Sequence, residues 1–419
     1  MGAPDWGQMT RIFGRIGLLS FGGPAAQIAV MHRELVEDRP WLTEDQYLRA
    51  LSFCMLLPGP EAMQLATYAG WRQRGVPGGV LAGALFVLPG ALVMLVLAAI
   101  YATYGALPLF QALFLGIKAT VVIIVIEALL RVSKKALHGT DRWVIAALSF
   151  VGIFALGVPF PILIGLAALY GYLTTPHGAP AQPPAPAAAK PRLLRTVLTW
   201  GGLWLAPVAL LMIVAPGILP QLALFFSKLA VVTFGGAYAV LAYMTQEVVT
   251  LRGWLETPEM MDALGLAETT PGPLILVTEF VGFLAGFKEG GLWLGILAAL
   301  VTLWVTFIPC FLWIFAGAPF IDRLATLPRL SGALNCVTAA VVGVILNLSI
   351  WFSLHVFFAE VSTWRAGPLR LALPDLTTLE PLTLALALVA TALLLWHHWP
   401  LLPVLGLMAL AGLGLGAVG

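Results

Sequence analysis

The 419-residue chain is short of charge. Only 10% of its residues are Asp, Glu, Lys or Arg, where soluble domains carry about 25%. With 60% hydrophobic residues, polar surface is too scarce to cover a soluble body of this size. The chain therefore reads as a polytopic membrane protein embedded in the lipid bilayer. The net charge is only +2, and no basic arm or aromatic-basic alternation invites nucleic acid. Cysteine is also scarce. Cys54, Cys310 and Cys336 show neither metal spacing nor a disulfide framework, and read as small buried hydrophobes. There is no P-loop, HExxH helix, nucleophile elbow or carboxylate-histidine set. That argues against an enzyme, a bound cofactor or metal, and ATP as the energy source. The first eight residues include Asp5 and lack the basic-then-apolar order of a cleaved signal, so the first apolar segment is expected to stay.

Glycine and proline, by contrast, are placed inside apolar sequence, where they break helices. Leu57-Pro58-Gly59-Pro60 returns 213 residues later as Thr270-Pro271-Gly272-Pro273. The same shift superimposes Phe21-Gly22-Gly23 on Phe234-Gly235-Gly236, Glu34 on Glu247, Arg39 on Arg252 and Trp41 on Trp254. From Phe21 to Pro60 the gapless register holds 16 identities in 40 positions. Gly/Pro-interrupted apolar segments at matching places in two halves point to a transporter binding site.

Apolar runs long enough to cross about 30 Å of hydrocarbon divide the chain. Residues 1–173 hold six segments, two interrupted at the glycine and proline breaks, with Trp143 to Tyr172 as a tight hairpin of two short helices. Residues 174–195 form a Pro/Ala-rich linker, expected to be extended and cytoplasmic. Residues 196–216 are an extra span, and 217–419 repeat the six, with Val361 to Leu379 as a polar loop. The total is about thirteen transmembrane segments. One unpaired span makes the second repeat run opposite to the first, an inverted-topology pair. With a cytoplasmic N-terminus, thirteen Lys and Arg fall inside and five, including Arg365 and Arg370, outside, as the positive-inside rule asks.

Phe21-Gly22-Gly23-Pro24, Leu57-Pro58-Gly59-Pro60-Glu61 with Gln64, and Ala267-Glu268-Thr269-Thr270-Pro271-Gly272-Pro273 together resemble the chromate ion transporter family, long-chain type with two homologous domains. The resemblance covers both halves outside the linker and the last hairpin. It implies export of chromate across the plasma (inner) membrane and chromate resistance, with sulfate as a related substrate and protons as a coupling ion. Ala237 departs from the pattern, standing where the first copy has Pro24. A homodimer is compatible with the sequence, but no residue argues for it.

A tetrahedral dianion needs donors and positive potential at depth, and helix N-termini provide both. Each Pro-Gly-Pro break starts a new helix, with Pro60 or Pro273 suited to its first turn and Gly59 or Gly272 allowing close backbone approach. Gly22, Gly23, Gly235 and Gly236 offer a second set of amides. The expectation is that four broken segments enclose the anion near the midplane; the alternative is that the glycines and prolines only kink or closely cross helices. Arg15 and its equivalent Lys228 lie in apolar runs, as substrate contacts or as snorkelling side chains. Lys118 balances the dianion or pairs with Glu127. Gln64 and Tyr68 share a face after Pro60, as hydrogen-bond donors or core packing. Glu61, Glu268 and Glu279 are candidates for carrying protons, because repulsion from a bound anion and desolvation both favour a neutral carboxyl. Glu61 could equally cap its helix dipole. Glu34 with Arg39 and Glu247 with Arg252 read as gate pairs or, preferably, as solvated surface pairs.

Overall fold

The computed structural model describes residues 4–176, 193–214, 216–234, 236–321, 328–367 and 369–416. Most of the expected linker lies outside them. Helix α1, Trp6–Leu19, starts on a capping box between Asp5 and Gln8 and buries Met9, Ile12, Phe13 and Ile16 at helical spacing. It stops at Ser20, and α2 resumes with Pro24 in its first turn and runs to His32. Helix α3, Glu44–Leu56, carries a second capping box from Thr43 and Gln46. After Pro58-Gly59-Pro60 the chain re-enters helix at Glu61 and continues as α4 to Tyr104. The first repeat closes with α5, Pro108–Ala136, and with α6, Thr140–Phe154, and α7, Phe160–Thr174, the expected pair of short helices.

Helix α8, Leu193–Val214, is the extra apolar segment. The second repeat then follows the first: α9, Ile218–Val232; α10, Ala237–Thr245; α11, Thr257–Thr269; and α12, Val277–Gly317. It ends with α13, Pro328–Phe357, α14, Pro381–Thr391, and α15, Leu401–Gly416. Five described stretches are long and apolar enough to cross a membrane: Glu61–Tyr104, Pro108–Ala136, Leu193–Val214, Leu274–Phe320 and Pro328–Phe357.

Helices α4 and α12 are hairpins rather than rods. Arg74 and Gly75 leave helical geometry in one, Gly290 and Gly291 in the other, and the second residue of each pair, a glycine, takes a positive φ, 63° and 72°. Behind each turn the two arms touch through a glycine. A Cβ on Gly70 would lie 2.5 Å from that of Ala82, and one on Gly286 would lie 2.6 Å from that of Ala298. These pairs match at a shift of 216. The three added residues are the 3-10 turn Leu274–Leu276, inserted between the second Pro-Gly-Pro and its helix.

The chain clusters into two compact units, neither of which is a repeat. The first comprises residues 1–102, 176–237 and 270–331, the second 103–175, 238–269 and 332–419. In the first, α8 and α9 pack on α12; in the second, α11, α14 and α15 pack on α5. One expectation is corrected here. The polar connector from Val361 to Leu379 is not structureless: it carries an antiparallel hairpin, β1 (Val361–Ala366) and β2 (Leu369–Pro374), followed by a 3-10 turn. Alternating branched and polar residues on either side of Gly367, φ 60°, favour it.

Candidate functional site

The helix breaks meet in the first compact unit, and they meet reciprocally. The Gly59 N–H donates to the Thr233 carbonyl at 2.9 Å, and the Gly272 N–H donates to the Ser20 carbonyl at 2.8 Å. Thr233 is the repeat equivalent of Ser20, as Gly272 is of Gly59. Each Pro-Gly-Pro turn is thus bonded to the Gly-Gly turn of the other repeat. The local cause is shared. The hydroxyls of Ser20 and Thr233 fold back onto the carbonyls of Ile16 and Leu229, one turn earlier. Gly59 and Gly272 sit at φ 114° and 87°, the left-handed region that side chains disfavour. The amides of these two glycines therefore hold the crossing together. At the start of α4, the first-turn amides of Ala62 and Met63 have no partner within their helix by construction of the α-helix. Gly22 and Gly236 also take positive φ, 72° and 101°, and Gly23 is the residue before α2; Gly235 lies outside the described residues.

Two buried glutamines brace the crossing. Gln27 Nε2 donates to the Gly272 carbonyl at 2.7 Å and to the Gly22 carbonyl at 3.3 Å, tying the first repeat's glycine turn to the second repeat's proline turn. Gln64 Nε2 donates to the Pro58 carbonyl at 2.7 Å, and its buried Oε1 has no hydrogen-bond partner among the described residues. Cys310 closes over the same turn: a Cβ on Gly59 would lie 3.0 Å from its Sγ. Sequence reasoning missed Gln27. The available signal was that it is the sole polar residue between Pro24 and Met31. Tyr68 is buried on the Gln64 helix.

The carboxyl groups are differently placed. Glu61 stands half-buried in the first turn of α4. Glu279 is buried near the start of α12, with Oε2 unpartnered among the described residues. In the second unit, buried Glu268 accepts a hydrogen bond from the Tyr238 hydroxyl at 2.9 Å.

The basic residues scatter. Arg15 is half-exposed, with Nε 3.4 Å from Glu34 Oε1, and Lys228 lies on an exposed face of α9. Lys118 pairs not with Glu127 but with Asp262 on α11, at 2.9 Å, while Glu127 bonds Arg131 one turn along its own helix. The expected solvated pair at Glu34 is also corrected. Glu34 is fully buried, 2.6 Å from Arg39, in a π-helical turn spanning Arg33–Glu37. The second repeat has the same turn at Gln246–Leu251, with Glu247 3.2 Å from Arg252. Main-chain bonds repeat as well, from Trp41 N–H to the Leu35 carbonyl and from Trp254 N–H to the Val248 carbonyl. A π turn carries one extra residue per turn, and here it points the acid inward toward its arginine.

A family model described as chromate transporter matches residues 7–172 and 220–415, the two repeats without the linker and α8. The chain belongs to the chromate transporter family. It is 32% identical over 399 residues to a probable chromate transport protein of Synechococcus elongatus, covering 91% of this chain and 94% of that one. It is 31% identical to a chromate transport protein of Cupriavidus metallidurans, over 81% of this chain and 80% of the other. A Pseudomonas aeruginosa chromate transport protein is 35% identical over 81% of this chain and 79% of its own length. No solved structure matches the chain. Family membership, composition and helices make this chromate transporter family member an all-α, multi-pass membrane protein built from two repeats.

Proposed function

We propose that the protein is a secondary transporter that exports chromate from the cytoplasm across the plasma membrane. Relatives named chromate transport proteins support the substrate. The observation that carries a transport mechanism is the reciprocal crossing, in which each repeat holds the broken helix of the other. Movement of one repeat then moves the helix start belonging to the other, which suits alternating access by rocking of one repeat against the other around a shared site. Residues 1–173 and 217–419 act as inverted halves, the span 196–216 sets the inversion, and the N-terminus and linker face the cytoplasm.

At the crossing the dianion is held by the helix-start amides beyond Pro58-Gly59-Pro60 and Pro271-Gly272-Pro273 and beside Gly22, Gly23, Gly235 and Gly236. Gln64 contributes its amide after turning from Pro58. Arg15, Lys228 and Lys118 supply positive potential, and for Lys118 that means acting from within its pair with Asp262. Glu61, Glu268 and Glu279 exchange protons as the ion binds and leaves. Glu279, buried and facing no charged partner among the described residues, is the first choice. A negative interior favours outward movement of a dianion, at about 2.3 kcal/mol per charge per 100 mV. Voltage alone, or voltage with protons, then drives export.

Donors that read charge and tetrahedral shape also suit sulfate. Uptake of labelled chromate and sulfate into inside-out vesicles, with pH and voltage set independently, tests both readings. Chromate accumulation that responds to an imposed voltage is the expected result. Accumulation of sulfate alone would transfer the function to that ion, and accumulation of neither would end the proposal.

A further inference from the structure

The second compact unit carries a half-open cavity of about 300 Å3, at the lower end of the range for small-molecule sites. The turn between α6 and α7, the π turn at Gln246, the C-terminal part of α13 and the β-hairpin form its walls. One face of the hairpin points in, with Val361, Thr363 and Arg365 on β1 and Arg370 and Ala372 on β2. The Arg370 N–H donates to the Ala155 carbonyl at 2.8 Å and pins the hairpin over the cavity.

The charges in this wall are unbalanced. Arg365 and Arg370 are directly opposite in the ladder, where like charges destabilise the pairing. Both arginines are exposed at the mouth of the cavity; among the described residues neither guanidinium has an ion pair or hydrogen bond, and no Asp or Glu lines the cavity. Gln246 and Asn347 face the same space, and their side chains have no bonded partner among the described residues. A scaffold gains nothing from two facing cations beside two idle amides. An anion with several acceptor oxygens answers all four, since guanidinium forks match oxyanions and amide N–H groups complete the shell. Gln246 opens the second π turn, and π turns are frequent at functional sites.

We infer that this cavity is a second anion site, made by residues none of which belongs to the broken-helix crossing, and that its ligand is a compact divalent oxyanion such as sulfate or chromate. On the topology proposed above the hairpin is external, so the site receives the ion after release; that role rests on the export reading, whereas the binding does not.

The test is modification of arginine by phenylglyoxal on the full-length purified protein, read by peptide mass spectrometry. Sulfate or chromate is compared with chloride at equal ionic strength. Each oxyanion should slow modification of Arg365 and Arg370 roughly tenfold at a concentration about ten times its dissociation constant. Arg195, exposed on α8, should react at one rate throughout. The double variant R365Q/R370Q should lose the corresponding heat of sulfate binding in calorimetry. Equal rates in sulfate and chloride overturn the inference. So does protection that appears only in nanodiscs of anionic lipid, which would make the cavity a headgroup site. Protection in a protein that moves no chromate sinks the function proposed above and leaves this site standing. Transport without protection does the reverse.

Discussion

The first repeat braces its helix breaks with fully buried amides, and the second has buried carboxyls near its own proline break. Gln27 and Gln64 have Val240 and Phe280 as equivalents, at shifts of 213 and 216. Glu268 and Glu279 have Met55 and Met63. The backbone bonds at the crossing are nevertheless the same in both directions, at 2.9 and 2.8 Å. The main-chain geometry is shared by the two copies while the side chains at equivalent positions differ. A neutral amide can bond a carbonyl at every stage of a transport cycle. A carboxyl can take up and release a proton. The comparison teaches that the halves are alike as scaffold and unlike as chemistry.

The harshest way to break the crossing is Gly90→Ala. Its Cβ would lie 2.1 Å from the Pro271 carbonyl oxygen, a backbone atom that cannot swing aside. Overpacking of this kind costs typically about 1–3 kcal/mol. Loss of folded protein or of all transport is expected, measured by size-exclusion profile and vesicle uptake; wild-type behaviour would show the contact to be dispensable.

Gly59→Ala should come next and exceed Gly272→Ala. Both residues have positive φ, an expense of roughly 1–2 kcal/mol for a side chain. The Cβ on Gly59 would also meet Gln64 Nε2 at 2.9 Å and Cys310 Sγ at 3.0 Å, whereas that on Gly272 meets only the flexible end of Leu276, at 3.1 Å, inside 3.4 Å. A melting-temperature series would reverse this reading if the second variant proved the weaker protein.

Gln27→Leu removes a brace and leaves two carbonyls without it, at about 1–3 kcal/mol. Val240→Leu, the matching change in the second repeat, should be close to neutral. Equal losses in thermal stability would erase the asymmetry between the repeats. Glu279→Gln should spare folding yet flatten the pH dependence of chromate uptake, while Met63→Gln leaves that dependence intact. An unchanged profile in both variants removes Glu279 from the coupling.

The smallest effect concerns the connector after α2. His32 lies 2.7 Å from Glu44 and 3.0 Å from Glu37, and the hydrogen bond with Glu44 raises its pKa above the ordinary value. A raised folded-state pKa gives stability that is fully present below the unfolded pKa and is lost as pH rises through the folded one. His32→Gln should therefore lower the melting temperature at about pH 5.5 and converge with wild type near about pH 9. A deficit that grows with pH would contradict the assignment.

The glycine and proline breaks were legible because a helix cannot pass through Pro-Gly-Pro whatever surrounds it. The same holds for the two-helix pair around Pro159 and Pro161, now α6 and α7. Glu34 was misjudged as solvated because a π turn, which leaves no mark in the sequence, rotates it inward. From the sequence Lys118 either balances the dianion or pairs with Glu127 on its own helix; its partner in the fold, Asp262, lies more than a hundred positions away. Arg365 and Arg370 looked like ordinary external charges until the hairpin register set them face to face.

By itself the sequence determined that the chain lives in lipid, that it is two copies of one module, and where each copy must leave helical geometry. These are consequences of composition and of local backbone sterics, which act within a few residues. Only the tertiary structure decided that each break bonds to the other copy's break, which buried glutamines brace those breaks, and which charges lack a partner among the described residues. Those outcomes depend on which carbonyl lies within three ångströms of which donor, and no local rule carries that distance.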